Sequence, residues 1–192
     1  MNKSLLTLLF FLSMLATGGV ATAKDPAENV ILFLDHHVAI AVPPGFAYTS
    51  GRDDNGTIVA QIVDPKEKNR LQVQFQPDPA SRLGTERQQM DFLAETCRQY
   101  AEGSVEHSYD FKALEPRSGT GTYCTFTDAS LVGQTPPKGE FLHVTTGVKV
   151  WPGWAIVFTL LSNDITAKEY QTLVTLLKES FEEKPKDAAP KP

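Results

Sequence analysis

Residues 141–181 decide the fold, and they read FLHVTTGVKVWPGWAIVFTLLSNDITAKEYQTLVTLLKESF. Over residues 141–151 the side chains alternate between two faces, which is the period of a β-strand. A nearly uninterrupted apolar run over residues 154–161 then predicts a strand that is covered on both faces. Pro152-Gly153 lies between them and predicts an antiparallel hairpin. A Pro-Gly pair favours a type II turn, whose twist fits a two-residue hairpin poorly, so a wider loop stays open.

The alternation assigns the side chains of this hairpin to two faces. One face carries Leu142, Val144, Val148, Val150, Val157 and Leu161. The other carries Phe141, Trp151, Trp154, Ile156, Phe158 and Leu160, with His143 and Lys149 among them. If the loop has only two residues, Trp151 lies opposite Trp154 and Val150 lies opposite Ala155.

Two amphipathic helices are predicted. Thr166 and Glu169 have the spacing of a capping box, and apolar residues then recur on one helical face as far as Phe181. Thr85 and Gln88 form a second pair of this kind ahead of a similar apolar stripe.

Shorter apolar stretches predict strands at residues 30–34, 37–42, 57–63, 70–76 and 119–128, and the glycine- and aspartate-rich residues 51–56 predict a loop. Strands that are joined by short turns pair antiparallel. The fold class is therefore α+β, an antiparallel β-sheet flanked by two amphipathic helices.

The N-terminal residues indicate export. Lys3 precedes an apolar run, and Ala21-Thr22-Ala23 has the small-residue pattern of a cleavage site. Residues 1–23 are therefore predicted to be a signal peptide, and the protein to be periplasmic or secreted. The alternative, an uncleaved membrane anchor, needs about 20 sustained apolar residues, and Gly18 and Gly19 interrupt the run.

Cleavage would leave a single α+β domain at residues 24–182 and a Pro- and Lys-rich tail at 183–192 that is predicted to be disordered. Without Lys3 the chain carries 18 − 1 = 17 basic and 23 acidic residues, a net charge of −6. This balance does not favour binding to nucleic acid. No stable membrane insertion is expected after cleavage.

The two cysteines, Cys97 and Cys124, are predicted to form a disulfide bond. Cys97 falls on the apolar stripe of the first helix, and Cys124 shares a strand face with Phe126. An even pair of cysteines in an exported domain is more often a disulfide than a metal site or a nucleophile. A free thiol is the alternative, which would need a neighbouring base.

The chain resembles the Mog1/PsbP-like group of exported bacterial α+β domains. The residues that carry the resemblance are Val42-Pro43-Pro44-Gly45-Phe46 after an early strand, the mid-chain helix, and the strand at 154–161 that leads into the last helix. The resemblance would cover most of residues 30–181. It implies a curved antiparallel sheet flanked by helices that acts as a binding or accessory module.

A binding site is predicted on the aromatic face, at Phe141, His143, Lys149, Trp151 and Trp154. An entirely buried face rarely contains a lysine and a histidine, so the turn end could remain open as an apolar groove. The alternative is that a helix covers the aromatic side chains while Lys149 extends outward to solvent.

Catalytic and metal sites are not indicated. His36 and His37 point to opposite faces of a strand, and neither His107 nor His143 has a partner at a ligand-like spacing. No hydrolase, metalloprotease or nucleotide-binding motif is present, and no cofactor is expected.

The sequence therefore favours a non-enzymatic binding or accessory protein with a protein or peptide partner, of which an immunity or inhibitor protein is a specific form. An uncharacterised periplasmic hydrolase or lyase is the alternative. A structural envelope protein that is tethered by its tail is a third hypothesis.

Overall fold

The computed structural model describes residues 21–22, 30–31, 37–54, 56–78, 80–179 and 181–183. The predicted signal peptide lies outside these residues except for 21–22, and the predicted tail lies outside them except for residue 183. His36 is also outside them.

Eleven strands and two helices are present in these ranges. The strands are β1 Ala21–Thr22, β2 Val30–Ile31, β3 His37–Ala41, β4 Ala47–Arg52, β5 Ile58–Val63, β6 Asn69–Asp78, β7 Lys112–Ala113, β8 Thr120–Thr127, β9 His143–Trp151, β10 Gly153–Ser162 and β11 Phe181–Glu183. The helices are α1 Glu86–Glu102 and α2 Lys168–Glu179.

Eight of the strands form one antiparallel sheet in the order β1-β4-β5-β6-β10-β9-β8-β7. The two long strands β6 and β10 pair along their whole length, from Gly153 opposite Asp78 to Ser162 opposite Asn69. Because α1 lies between β6 and β10 in the sequence, this pairing brings the parts of the chain before and after α1 together in one sheet. The α+β class that the sequence predicts is confirmed.

A second, three-stranded sheet has the order β11-β3-β2. The sequence predicts one antiparallel sheet, but β3 pairs with β2 and β11 in a separate sheet. Val38, Ile40 and Val42 are buried against the main sheet and α2. The hydrophobic pattern of a strand shows which residues are buried but not which sheet the strand joins.

The two faces of the main sheet carry two separate hydrophobic cores. The core beneath α1 includes Leu93, Cys97, Tyr100, Cys124, Phe126, Val144 and Val148. The core beneath α2 and the small sheet includes Ile40, Leu71, Val73, Ile156, Phe158, Leu173 and Leu177. One helix on each face is the expected way to bury a sheet that is apolar on both sides.

The β9–β10 hairpin confirms the tight pairing. Trp151 lies opposite Trp154, and Val150 lies opposite Ala155. The turn therefore has only two residues, Pro152 and Gly153. Gly153 has φ +85°, which is the conformation that the third position of a type II turn requires and that glycine adopts without strain.

The predicted start of α1 is confirmed and that of α2 is wrong. Thr85 and Gln88 make the reciprocal hydrogen bonds of a capping box. Thr166 instead donates its hydroxyl to Asp164 Oδ1 at 2.6 Å, and α2 begins at Lys168, one residue later than a cap at Thr166 implies. Short polar side chains bond readily to nearby polar groups, and here Asp164 competes with the helix for the Thr166 hydroxyl.

The last predicted helical residue, Phe181, lies in β11 and not in α2. Strand β4 was not predicted, and its last two residues, Gly51 and Arg52, fall in the predicted loop. The sequence does contain a signal for β4, because Tyr and Thr favour strands and Asn55-Gly56 is typical of a turn between two strands.

Candidate binding site

The five residues of the predicted groove do not form one continuous surface. Phe141 precedes β9, so strand alternation does not apply to it, and it packs in the core beneath α1. Its predicted face was wrong. His143 and Trp151 lie at opposite ends of β9, which puts them roughly 26 Å apart at about 3.3 Å per residue.

His143 is half-buried beside β8. Its Nδ1 lies 3.2 Å from the hydroxyl of Thr127. Burial lowers the pKa of His143, while the nearby carboxylates of Glu106 and Asp164 act in the opposite direction. The ring therefore belongs to a local polar contact at the far end of the hairpin.

Lys149 is fully buried beneath the C-terminus of α2. Its Nζ donates to the carbonyl oxygen of Leu177 at 2.9 Å and approaches that of Lys178 at 3.4 Å. The last carbonyls of a helix have no partner within the helix, and they carry the negative end of its dipole. The ammonium group of Lys149 therefore caps α2 from the sheet below.

Trp151 completes this buried contact. The Nζ of Lys149 lies 4.7 Å from the centre of the Trp151 ring, in cation–π geometry. The indole Nε1 of Trp151 donates to the hydroxyl of Ser118 at 3.2 Å. Burial lowers the pKa of Lys149 to about 8.

Helix α2 thus covers the aromatic face around Trp151, as the alternative reading expected. Lys149 does not extend outward as that reading also expected, because the helix carbonyls hold its ammonium group inside. Trp154 is partly exposed beside the exposed Pro152 at the tip of the hairpin.

A different open site lies on the other half of the main sheet. A pocket of about 420 Å³ opens beside β4 and β5, and we call it the β4 pocket. Its lining includes Ala47, Thr49, Gln61, Val63, Asp64 and Arg70. The sequence pattern predicted a strand at residues 70–76 but did not single out Arg70.

The acidic groups of the β4 pocket already have partners. Asp64 accepts hydrogen bonds from the backbone N–H of Lys66 at 2.6 Å and from the side chain of Asn69. Glu67 lies 3.7 Å from Lys138 in an exposed ion pair. These contacts stabilise the turn between β5 and β6.

The cationic group of the pocket does not have such a partner. Within the described residues, Arg70 has no ion pair, and its buried Nε has no hydrogen-bond acceptor. The buried hydroxyl of Thr49 also lacks a partner. The guanidinium of Arg70 lies 5.3 Å from the centre of the Phe141 ring. The pocket therefore combines a positioned cation with polar atoms that no described group satisfies.

A second pocket, of about 360 Å³, lies at the start of α1, and its charged groups have partners. Asp78 accepts hydrogen bonds from the backbone N–H groups of Arg82 at 2.8 Å and Leu83 at 2.9 Å. The side chain of Arg82 also lies 3.9 Å from the Asp78 carboxylate. The charges of Asp78 and Arg82 are thus already paired.

The edge of the main sheet beside the β4 pocket is partly open. β1 pairs with two residues of β4, Ala21 opposite Tyr48 and Thr22 opposite Ala47. In the part of the chain that the structure describes, residues 49–52 have a strand only on the β5 side. The opposite edge ends in β7, which has two residues and carries Lys112, features that discourage pairing with another strand.

Cys97 and Cys124 are brought together as predicted, and the structure has them as free thiols. Both are fully buried between α1 and the sheet. A hydrogen bond between the two thiols lowers the pKa of Cys97 and raises that of Cys124. The covalent bond itself stays a prediction.

We expect Cys97 and Cys124 to be linked in the exported protein, after exchange with an oxidising disulfide that takes up two electrons and two protons. Intact mass and thiol alkylation under denaturing, non-reducing conditions measure this directly. The chain-entropy model gives the bond about 3 kcal/mol of stability, so reduction should lower the unfolding midpoint. Two alkylated thiols in the exported protein would contradict the prediction.

Among the described residues no helix is long and apolar enough to span a membrane. The same residues contain no group of three or more His, Cys, Asp or Glu side chains arranged to hold a metal ion. No protein family, curated protein or solved structure matches the chain.

Proposed function

We propose that this protein is an exported, non-enzymatic binding or accessory protein of the bacterial envelope that docks an extended segment of a protein or peptide partner along β4. The observation that carries the proposal is the open outer edge of β4, on which a short strand of the same chain is already seated. Addition of a strand to a sheet edge is a common mode of peptide recognition, because the backbone hydrogen bonds supply affinity.

The seated strand belongs to the region that export would remove. Ala21 and Thr22 precede the predicted cleavage point after Ala23. Cleavage there would free the whole outer edge of β4, including the backbone of Ala47 and Tyr48. The precursor would then carry a placeholder for the partner, and the processed protein would bind the partner in its place.

We also infer that the fold is of the Mog1/PsbP-like kind. An antiparallel sheet with a helix on each face supports this inference, as does the Pro43-Pro44-Gly45 connection between β3 and β4. A binding role is what that resemblance implies. An immunity or inhibitor protein is the specific form in which the bound segment belongs to a toxin.

The test uses the exported protein purified from the envelope, with its first residue determined by intact mass. A mass that corresponds to loss of residues 1–23 is expected. The probe is a terminally blocked peptide with the sequence of residues 18–24, GGVATAK. We expect this peptide to slow amide hydrogen exchange in residues 47–51, which lie opposite it in the register of β1, because these N–H groups gain partners or become covered.

The matched control is the same peptide with N-methylated alternate backbone nitrogens, which cannot complete the ladder of hydrogen bonds. It should give no protection of β4. Equal protection by both peptides, or by neither, would reject strand addition as the binding mode. Protection of β4 that depends only on protein concentration would indicate pairing with a second copy and would also reject the proposal.

A further inference from the structure

We infer that the docked segment is selected by the residue that lies opposite Tyr48, and that this residue has an apolar, β-branched side chain. This inference rests on the proposed function and names the partner as an extended segment in which apolar and polar residues alternate. The observations that carry it are the register of β1 on β4 and the different character of the two faces of the sheet at this edge.

The residue opposite Tyr48 is its direct neighbour, one strand spacing away. In β1 this position is held by Ala21, and the position opposite Ala47 is held by Thr22. Directly opposed residues of an antiparallel pair share a face of the sheet, and their Cβ atoms lie about 4.5–5.5 Å apart. Even a short side chain of the docked segment therefore reaches the side chain of Tyr48.

The face of the sheet that carries Tyr48 is apolar across four strands. Tyr48 lies opposite Ile62, Ile62 lies opposite Leu71, and Leu71 lies opposite Leu160. The last three side chains are fully buried, whereas Tyr48 is half-buried and packs against the same core. The row therefore loses its cover only at its outermost member. An apolar side chain opposite Tyr48 would extend the row by one residue and remove apolar surface from water.

The other face of the same edge carries a polar row. Thr49 lies opposite Gln61, and Gln61 lies opposite Gln72. Thr49 and Gln61 are half-buried and contribute to the lining of the β4 pocket. A docked residue opposite Thr49 would continue a row of hydroxyl and amide groups, so an apolar side chain gains little there.

The two faces together define the pattern of the partner segment. Successive residues of a strand point to opposite faces, so a segment that matches both faces has an apolar residue opposite Tyr48 and polar residues on either side of it. β-branched residues suit the apolar position, because they favour strands and pair well with an aromatic side chain across two strands. β1 shows the pattern with a small apolar residue, Ala21, followed by Thr22.

The test compares valine with threonine at two positions of the 18–24 peptide. One pair of peptides carries Ala21→Val or Ala21→Thr, opposite Tyr48. The matched control pair is the unchanged peptide, which has Val20, and the peptide with Val20→Thr. Residue 20 lies opposite Thr49 when the register of β1 continues by one residue. Valine and threonine both branch at Cβ and favour strands, so the backbone contributes equally within each pair.

At position 21 we expect the valine peptide to bind the exported protein about threefold more tightly than the threonine peptide, which is within the range of one cross-strand pair. At position 20 the two peptides should bind with nearly equal affinity. Tyr48→Thr in the protein should remove the preference at position 21, because the apolar row then ends at Ile62. If this variant does not fold, the comparison of the two positions in the wild-type protein still decides.

Amide hydrogen exchange of residues 47–51, measured with each peptide, separates this inference from the proposed function. If the peptides protect β4 but the two position-21 peptides bind equally, selection by Tyr48 is rejected and strand docking stands. A valine preference of the same size at position 20 would reflect only general hydrophobicity, and it would reject the inference in the same way. If none of the peptides protects β4, the proposed function fails and the inference fails with it.

Discussion

Gly119→Ala is expected to lower the free energy of unfolding by about 3 kcal/mol or more, since both the backbone conformation and the available space exclude a side chain. Gly119 has φ +78°, a region that side chains rarely adopt. A Cβ atom there would lie only 2.1 Å from the carbonyl oxygen of Val150. Because the obstacle is the backbone of β9, which pairs with β8 and β10, it cannot be moved aside cheaply.

Chemical denaturation of both forms measures the change, and Gly51→Ala is the matched control. Gly51 lies in β4, has no positive φ, and a Cβ atom there would meet nothing within 4 Å. Its replacement should leave stability unchanged or raise it slightly, because alanine restricts the unfolded chain. Equal unfolding midpoints for the two variants would show that the approach of Gly119 to Val150 is not required.

Lys149 is expected to make the protein more stable as the pH rises from 8 to about 10.5. Burial lowers its pKa in the folded protein from 10.5 to about 8. Below pH 8 the lysine is charged in both states, and the cost of burying the charge is constant. Between the two pKa values the unfolded state binds more protons than the folded state, so the free energy of unfolding increases. The full rise is about 3 kcal/mol.

The comparison is with Lys149→Met, which has a similar length and does not titrate. Denaturation of both proteins at pH 7, 8.5 and 10 gives the difference in their unfolding free energies. This difference should grow in favour of the wild type across the series. The hydroxyls of the buried Tyr100 and the half-buried Tyr123, whose pKa values are raised by desolvation, are present in both proteins and largely cancel. Parallel pH profiles would show that Lys149 keeps an ordinary pKa beneath α2.

The sequence by itself determined the features that depend on near neighbours along the chain. Strand alternation and Pro152-Gly153 predicted the hairpin of β9 and β10 and left the loop length open, and the structure has the tight register with Trp151 opposite Trp154. The spacing of Thr85 and Gln88 predicted the start of α1. The period of a strand, the geometry of a turn and the bonds of a helix cap are set by a few consecutive residues.

The tertiary structure alone decided which distant groups meet. Strand alternation put Lys149 on the aromatic face, but only the position of α2 shows that its ammonium group caps the helix from inside. β4 is short and its residues are half-buried or exposed, so the sequence pattern does not reveal it. Its place beside the edge of the main sheet follows only from its pairing with β5 and β1. From the sequence, Arg70 is an ordinary polar residue of a strand. Only the tertiary structure brings Phe141 and the β5–β6 turn beside it. Such contacts join residues far apart in sequence, and no local periodicity records them.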